Sequence, residues 1–263
     1  MSRPATVAHI GWVASCHLKR RVDALARQGI RNIVFSDNIP DHFDSSQHDF
    51  ILEKLPGKLS NYPEKMIAWL EEKLADHKVE LLHSHSTHYP AALGYFVRSV
   101  PVINSIWDFV NSRDPLSPLF NQAILLELAT GRLVDGVSFS SKSLMEDWIA
   151  GGFPEERAFW HSWGVNLDLF RPGEYKGQAR ELRVRLGIKE DEFFILSPRT
   201  PSLPANNDLA MQAVAKLRKD YPVRLVITGH HIPREFRYVE RFYRNKKIQE
   251  CVTFLDTIRD DRE

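Results

Sequence analysis

"FFILSPRTPSLPANNDLAMQAVAKLRKDYPVRLVITGH", Phe193–His230, sets the architecture of the chain. An apolar run of strand length ends at Pro198 and Arg199, a polar loop follows, and a helical pattern opens near Asn207. A second apolar run, VRLVITG, closes the unit. Strand, loop, helix and strand in that order predict two parallel strands joined by a right-handed crossover. The strand-to-helix junction is a natural anion site, because free backbone N–H groups and the positive end of the helix dipole face the loop. Arg199 stands there without a lysine beside it. The loop carries Pro204, Ala205, Asn206 and Asn207, and no lysine comes before Lys216.

Working outward, the same rhythm fills the rest of the chain. TVAHIGWV, RNIVFSD, FILEKLP, ELLHSH, PVINSIWDF and GVSFSS read as strands. Helical patterns separate them: Cys16 to Arg27, KMIAWLEEKLADH, PAALGYFVRS, FNQAILLELATGRL and SLMEDWIAGG. Met66, Leu70 and Leu74 recur at i+4 spacing, joined by Ile67, which buries one helix face. Strands alternating with helices predict an α/β fold with a parallel sheet covered on both sides. FRPGEYKGQ is rich in Pro, Gly and Lys and reads as a linker. Two Rossmann-type domains are expected, 1–169 and an incomplete one over 170–263.

Composition narrows the class. The 263 residues carry a net charge of +1, so nothing points to nucleic acid or an anionic membrane. Only two cysteines, Cys16 and Cys251, occur, far apart, which leaves no disulfide framework or zinc spacing and fits a reducing cytoplasm. The start, MSRPATVAHIGWVAS, lacks the apolar core of a signal peptide, and no segment reaches about 20 apolar residues. A soluble, cytoplasmic protein is expected, with peripheral membrane contact left open. The run REFRYVERFYRNKK interleaves basic and aromatic residues, and an amphipathic surface helix accounts for it better than RNA binding.

Two stretches together resemble a known family. "FSSKSLMEDWIAGGFPEERAFWHSWGVNLDLFRP", with Ser140, Ser141, Gly152, Pro154, Gly164, Val165, Asp168, Phe170 and Pro172, is similar to a block of the GT-B fold, family-four retaining glycosyltransferases. Phe193–His230 resembles that family's next block, and "LLHSHSTHYPAALGYF" and "VPVINSIWDF" fit its N-domain strands. The resemblance implies a hexosyltransferase-type enzyme of the kind that builds cell-envelope polysaccharide. It implies a nucleotide-sugar donor held mainly by the C-terminal domain and a glycan, lipid or small-molecule acceptor on the N-domain. No cofactor or metal is implied, since the nucleotide sugar is itself the substrate.

The resemblance also assigns residues. Arg199 matches a phosphate-contacting arginine, with Asn206 and Gly229 on the donor side; a surface arginine pairing a nearby carboxylate is the plainer alternative. Gly11 ends the first strand and lets backbone approach a ligand, or simply makes a tight turn. His17 faces the acceptor or caps its helix. His85 and Asp108 are assigned to the reacting centre, against packing for the first and turn formation for the second. Trp107 stands where many family members have a histidine, so that role is not carried over. His83, His85 and His88 raise the question of zinc, but no carboxylate or cysteine supports them. The family's acidic E-x7-E element does not follow Gly229 before the sequence ends at Glu263. A piece of a longer enzyme, or a shortened relative that only binds, is therefore expected.

Overall fold

The computed structural model describes residues 5–37, 39–41, 43–57, 62–85, 91–107, 133–162, 164–165, 167, 170–171, 173–199, 201, 205–228 and 239–255. They form two compact units, Met1–Gly164 and Val165–Glu263. The first is built on a seven-stranded sheet: β1 (Thr6–Ile10), β2 (Arg31–Ser36), β3 (Ile51–Lys54), β4 (Leu81–His85), β5 (Val102–Ile106), β6 (Gly136–Phe139) and β7 (Ala158–Trp160). All its pairings are parallel and the order is β3-β2-β1-β4-β5-β6-β7. The direction of winding reverses between β1 and β4, and that switch point is where open α/β sheets leave a crevice for ligands.

The two faces of this sheet differ in chemistry. On one, Ala8, Ile10, Ile33, Phe35, Leu82, Val102, Ile106, Val137 and Phe139 form the main core. Helix α2 (Pro63–Asp76) docks there through Met66, Leu70 and Leu74, the i+4 row read in the sequence. Each such side chain contributes about 1.5–3 kcal/mol on burial. Helix α3 (Lys142–Ala150) adds Leu144 and Trp148. Its first turn is capped by the Ser141 hydroxyl, which accepts from Leu144 N–H at 3.1 Å. The opposite face carries helix α1 (Cys16–Arg27), whose Leu18 and Val22 pack on Val13 and Val34.

Segment PAALGYFVRS departs from the expected α-helix: Ala91–Phe96 is a 3-10 helix. Its Gly94 lies so close to β4 that a Cβ there would sit 1.9 Å from Ser84 Oγ. Asn104 Nδ2 also donates to the Tyr95 hydroxyl. The helix expected over FNQAILLELATGRL lies outside the described residues.

The second unit holds β8 (Phe193–Ser197), β9 (Val223–Thr228) and β10 (Val252–Leu255), parallel and in the order β10-β9-β8. Helix α4 (Lys176–Arg185) precedes β8, helix α5 (Asn207–Leu217) connects β8 to β9, and the short α6 (Lys246–Gln249) leads into β10. Met211, Val214, Leu225, Ile227, Val239, Ile248 and Val252 make its core. No helix among the described residues is long and apolar enough to cross a membrane.

Candidate functional site

Strand register explains how the polar residues of the first unit gather. His9 on β1 is registered with His83 on β4, His85 with Ser105 on β5, and Ser105 with Ser138 on β6. Side chains two apart on a strand share a face, so His9, His83, His85, Ser105 and Ser138 form one polar stripe beneath α1. Asn32 on β2 and His161 just past β7 extend it on either side. The stripe crosses the switch point near the carboxyl ends of the strands. His9, Ser105 and Ser138 are fully buried and His85 is 1% exposed.

The hydrogen bonds fix most proton positions. Asn32 Nδ2 donates to Ile30 O at 2.9 Å, which turns Asn32 Oδ1 toward His9 Nε2 at 3.0 Å. His9 therefore carries its proton on Nε2, and its Nδ1 accepts from His85 Nε2 at 2.9 Å. That leaves His85 Nδ1 as a buried acceptor without a hydrogen-bond partner among the described residues. Arg21, one turn and a half into α1, donates from Nη1 to Ser105 Oγ at 2.6 Å and to His83 Nε2 at 3.2 Å. It also donates from Nη2 to His161 Nε2. A guanidinium has no lone pair to offer, so His161 keeps its proton on Nδ1 and donates it to Ser138 Oγ at 2.8 Å.

Electrostatics agrees with that bookkeeping. Burial lowers the pKa of His9 to about 4, opposed by its bond to Asn32 and reinforced by the Arg21 charge. Burial also holds His83 and His85 well below the ordinary histidine range, with the neighbouring imidazoles and Arg21 acting in the same direction. His161 is lowered by burial and by Arg21. Arg21 itself is pulled down by burial alone. The site is thus one cation set among four neutral imidazoles.

Ligand nitrogens of His9, His83 and His85 lie within 4.8 Å of one another. Three neutral imidazoles can bind zinc, but here His9 and His85 satisfy each other and the Arg21 cation sits on His83 Nε2. A dication would add to the positive charge of Arg21, which has no carboxylate beside it among the described residues. The geometry is that of a hydrogen-bonded network rather than a metal centre.

Sequence-assigned residues of the first unit come together around this stripe. Gly11 directly follows β1, and a Cβ on it would lie 3.2 Å from His85 Cβ, so its role is close approach to His85 rather than a left-handed turn. His17 is exposed on the first turn of α1 and meets the edge of Trp107 at 5.7 Å between ring centroids. Trp107 in turn lies 6.0 Å from the His85 ring. Asp108, the other residue assigned to the reacting centre, falls outside the described residues, as do His88 and Gly229.

In the second unit, Arg199 is exposed two residues past the end of β8. Asn206 precedes α5 in a left-handed conformation, φ 52° and ψ 33°, and its side chain does not cap the helix. Asn207 is the buried neighbour, donating to Ser197 Oγ at 3.3 Å and tying the helix start to the strand end. A shallow groove lined by Lys189, Glu192, Arg218 and Tyr221 lies at the opposite, amino-terminal ends of β8 and β9. That is the wrong end for a ligand of a parallel sheet.

Solved structures share this architecture. A glycosyltransferase from Rickettsia africae ESF-5 matches with a TM-score of 0.76 over 98% of this chain and 69% of its own, at 14% identity. Anabaena Alr3699/HepE in complex with UDP and glucose matches with a TM-score of 0.75 over 98% and 70%, at 16% identity. The UDP-N-acetylglucosamine 2-epimerase from Rickettsia bellii follows at 0.59 over 98% and 70%, also at 16% identity. The likeness is one of fold. The chain is GT-B-like, with Rossmann-type parallel sheets in both units. No family model and no curated protein matches it.

Sequence reading missed His9, Arg21 and His161. His9 sits inside an apolar run, and its partners lie on a strand more than seventy residues later. The available signal was positional: a polar residue interrupts β1, β2, β4, β5 and β6 on the same face.

Proposed function

We propose that the protein is a glycosyltransferase, moving a sugar from a nucleotide-sugar donor to a glycan, lipid or small-molecule acceptor with retention at the anomeric carbon. The observation that carries this reading is the GT-B-like fold, matched at a TM-score of 0.76 by a glycosyltransferase. The neighbour of similar score was solved with UDP and glucose, and the epimerase shares the fold at a lower score.

In this reading Arg199 holds the donor diphosphate. Its exposed guanidinium stands at the carboxyl end of β8, free to grip two phosphate oxygens and to stabilise the charge that grows on the leaving group. Asn206 and Gly229 complete the donor side. On the acceptor side His17 and Trp107 offer the accessible surface, and Asp108 orients a sugar hydroxyl. His85 is buried, so it acts as a positioning residue: it supports Trp107 on one side and takes up the room Gly11 leaves on the other. Family-four membership, hexosyl specificity, a part in cell-envelope polysaccharide synthesis, a cytoplasmic location and peripheral membrane contact belong to the same proposal.

The test is release of nucleoside diphosphate from UDP-glucose and other common nucleotide sugars, with and without simple sugar acceptors. Turnover is expected, and NMR of the product should show the donor's anomeric configuration. Tight donor binding with no turnover would instead mark a binding protein of the same fold. Neither binding nor turnover would end the reading.

A further inference from the structure

Arg21 carries more charge than its surroundings use. Every group it touches is a neutral acceptor: His83 Nε2, Ser105 Oγ and His161 Nε2. None of these acceptors brings a counter-charge, so a cation stands in a partly dry site among neutral groups. Buried charges are ordinarily paired, because desolvating one without a counter-charge is costly. Yet among the described residues no carboxylate pairs with Arg21. Its contacts run through the two terminal nitrogens, and Nε–H has no partner among the described residues.

Location adds a second, independent argument. Arg21 reaches His83, Ser105 and His161 near the carboxyl ends of β4 and β5 and just past β7, beside the switch point of the sheet. Ligands of open parallel sheets settle there. Arg21 is half-buried as a residue, not sealed in the core. His161 is fixed from behind by Ser138, and His83 Nε2 and Ser105 Oγ are bonded to each other beside the guanidinium, so its plane is held in one orientation.

We propose that Arg21, framed by His83, Ser105 and His161, seats an oxyanion: the carboxylate or phosphate of an acidic acceptor. Two oxygens of such a group match the remaining donors of a guanidinium, a geometry that lysine does not offer. The neutral imidazoles place no competing positive charge in the seat and repel no anion. The oxyanion seat stands on the geometry alone; its assignment to the acceptor rests on the glycosyl-transfer reading.

The experiment uses the full chain carrying Arg199→Ala, which removes the arginine proposed for the donor diphosphate. Calorimetric titration with inorganic phosphate, with glucuronate and with glucose should show binding of an anion and none of glucose. Adding Arg21→Gln should weaken that binding at least tenfold. A preference for phosphate identifies a phosphorylated acceptor, and a preference for glucuronate identifies a uronic acid. Equal anion affinity with and without Arg21→Gln, or no anion binding at all, overturns the proposal. Should the Arg21→Gln protein fail to fold, 15N-histidine NMR of the chain with Arg21 intact decides: the His161 Nε2 resonance should move on adding phosphate, and a fixed resonance rejects the seat. If no nucleotide sugar is bound or turned over while Arg21-dependent anion binding persists, the transfer reading falls and the seat remains.

Discussion

Acidification should destabilise the first unit well before carboxylates titrate. His9 is fully buried and its pKa falls from 6.5 to about 4 on folding. Between those values the unfolded chain binds a proton that the folded chain refuses. Stability from this group is therefore complete above pH 6.5 and drains away as pH falls toward 4. A gap of that size, at about 1.4 kcal/mol per pH unit, amounts to about 3 kcal/mol, of which about 2 kcal/mol is lost between pH 7 and pH 5. His83, His85 and His161 move in the same direction, so the proton difference near pH 5.5 should lie between about one and four. Urea unfolding at pH 7, 6 and 5 reads the slope directly. His9→Gln, which keeps an amide donor for Asn32 but cannot titrate, should remove about 2 kcal/mol of the fall between pH 7 and 5 while leaving the rest. A stability that stays flat from pH 7 to 5, or a slope unchanged by His9→Gln, would refute the neutral-imidazole account.

Gly94→Ala places a methyl 1.9 Å from Ser84 Oγ, and overpacking of this kind should cost about 1–3 kcal/mol in urea unfolding; Gly94→Ala combined with Ser84→Ala should recover part of it. Ser141→Ala removes the cap of α3 and should cost about 1 kcal/mol, read as a lower melting temperature. Arg199→Ala should weaken UDP binding by calorimetry without lowering the melting temperature, because the side chain is exposed at the end of β8.

Much of the fold could be read from one-dimensional patterns. The strand runs around Val7, Val34, Leu82, Val137 and Val226 are dense and apolar because a parallel sheet is covered on both sides, and the Met66–Leu70–Leu74 row declares its helix. Elements without such a signature were not legible. Helix α4 buries no residue, so no apolar period marks it within a stretch that opens like a linker, and β7 is three residues long. Within the 3-10 helix Ala91–Phe96, Gly94 lies against Ser84 of β4, a tertiary approach that no local propensity encodes. The site divides in the same way. Gly11, His17 and His85 were accessible because they lie at strand ends and helix starts. Arg21 looked like one cation among the neighbours Lys19 and Arg20, and only its reach across to β4, β5 and the residue after β7 sets it apart.

Release of UDP from UDP-glucose, compared between the unaltered chain and Arg199→Ala, decides whether this GT-B-like chain transfers sugar from a nucleotide donor with Arg199 on the diphosphate. Measurable release is expected, falling at least tenfold in the variant, in line with about 1.4 kcal/mol or more of lost transition-state stabilisation. Release that is the same in both proteins would contradict it.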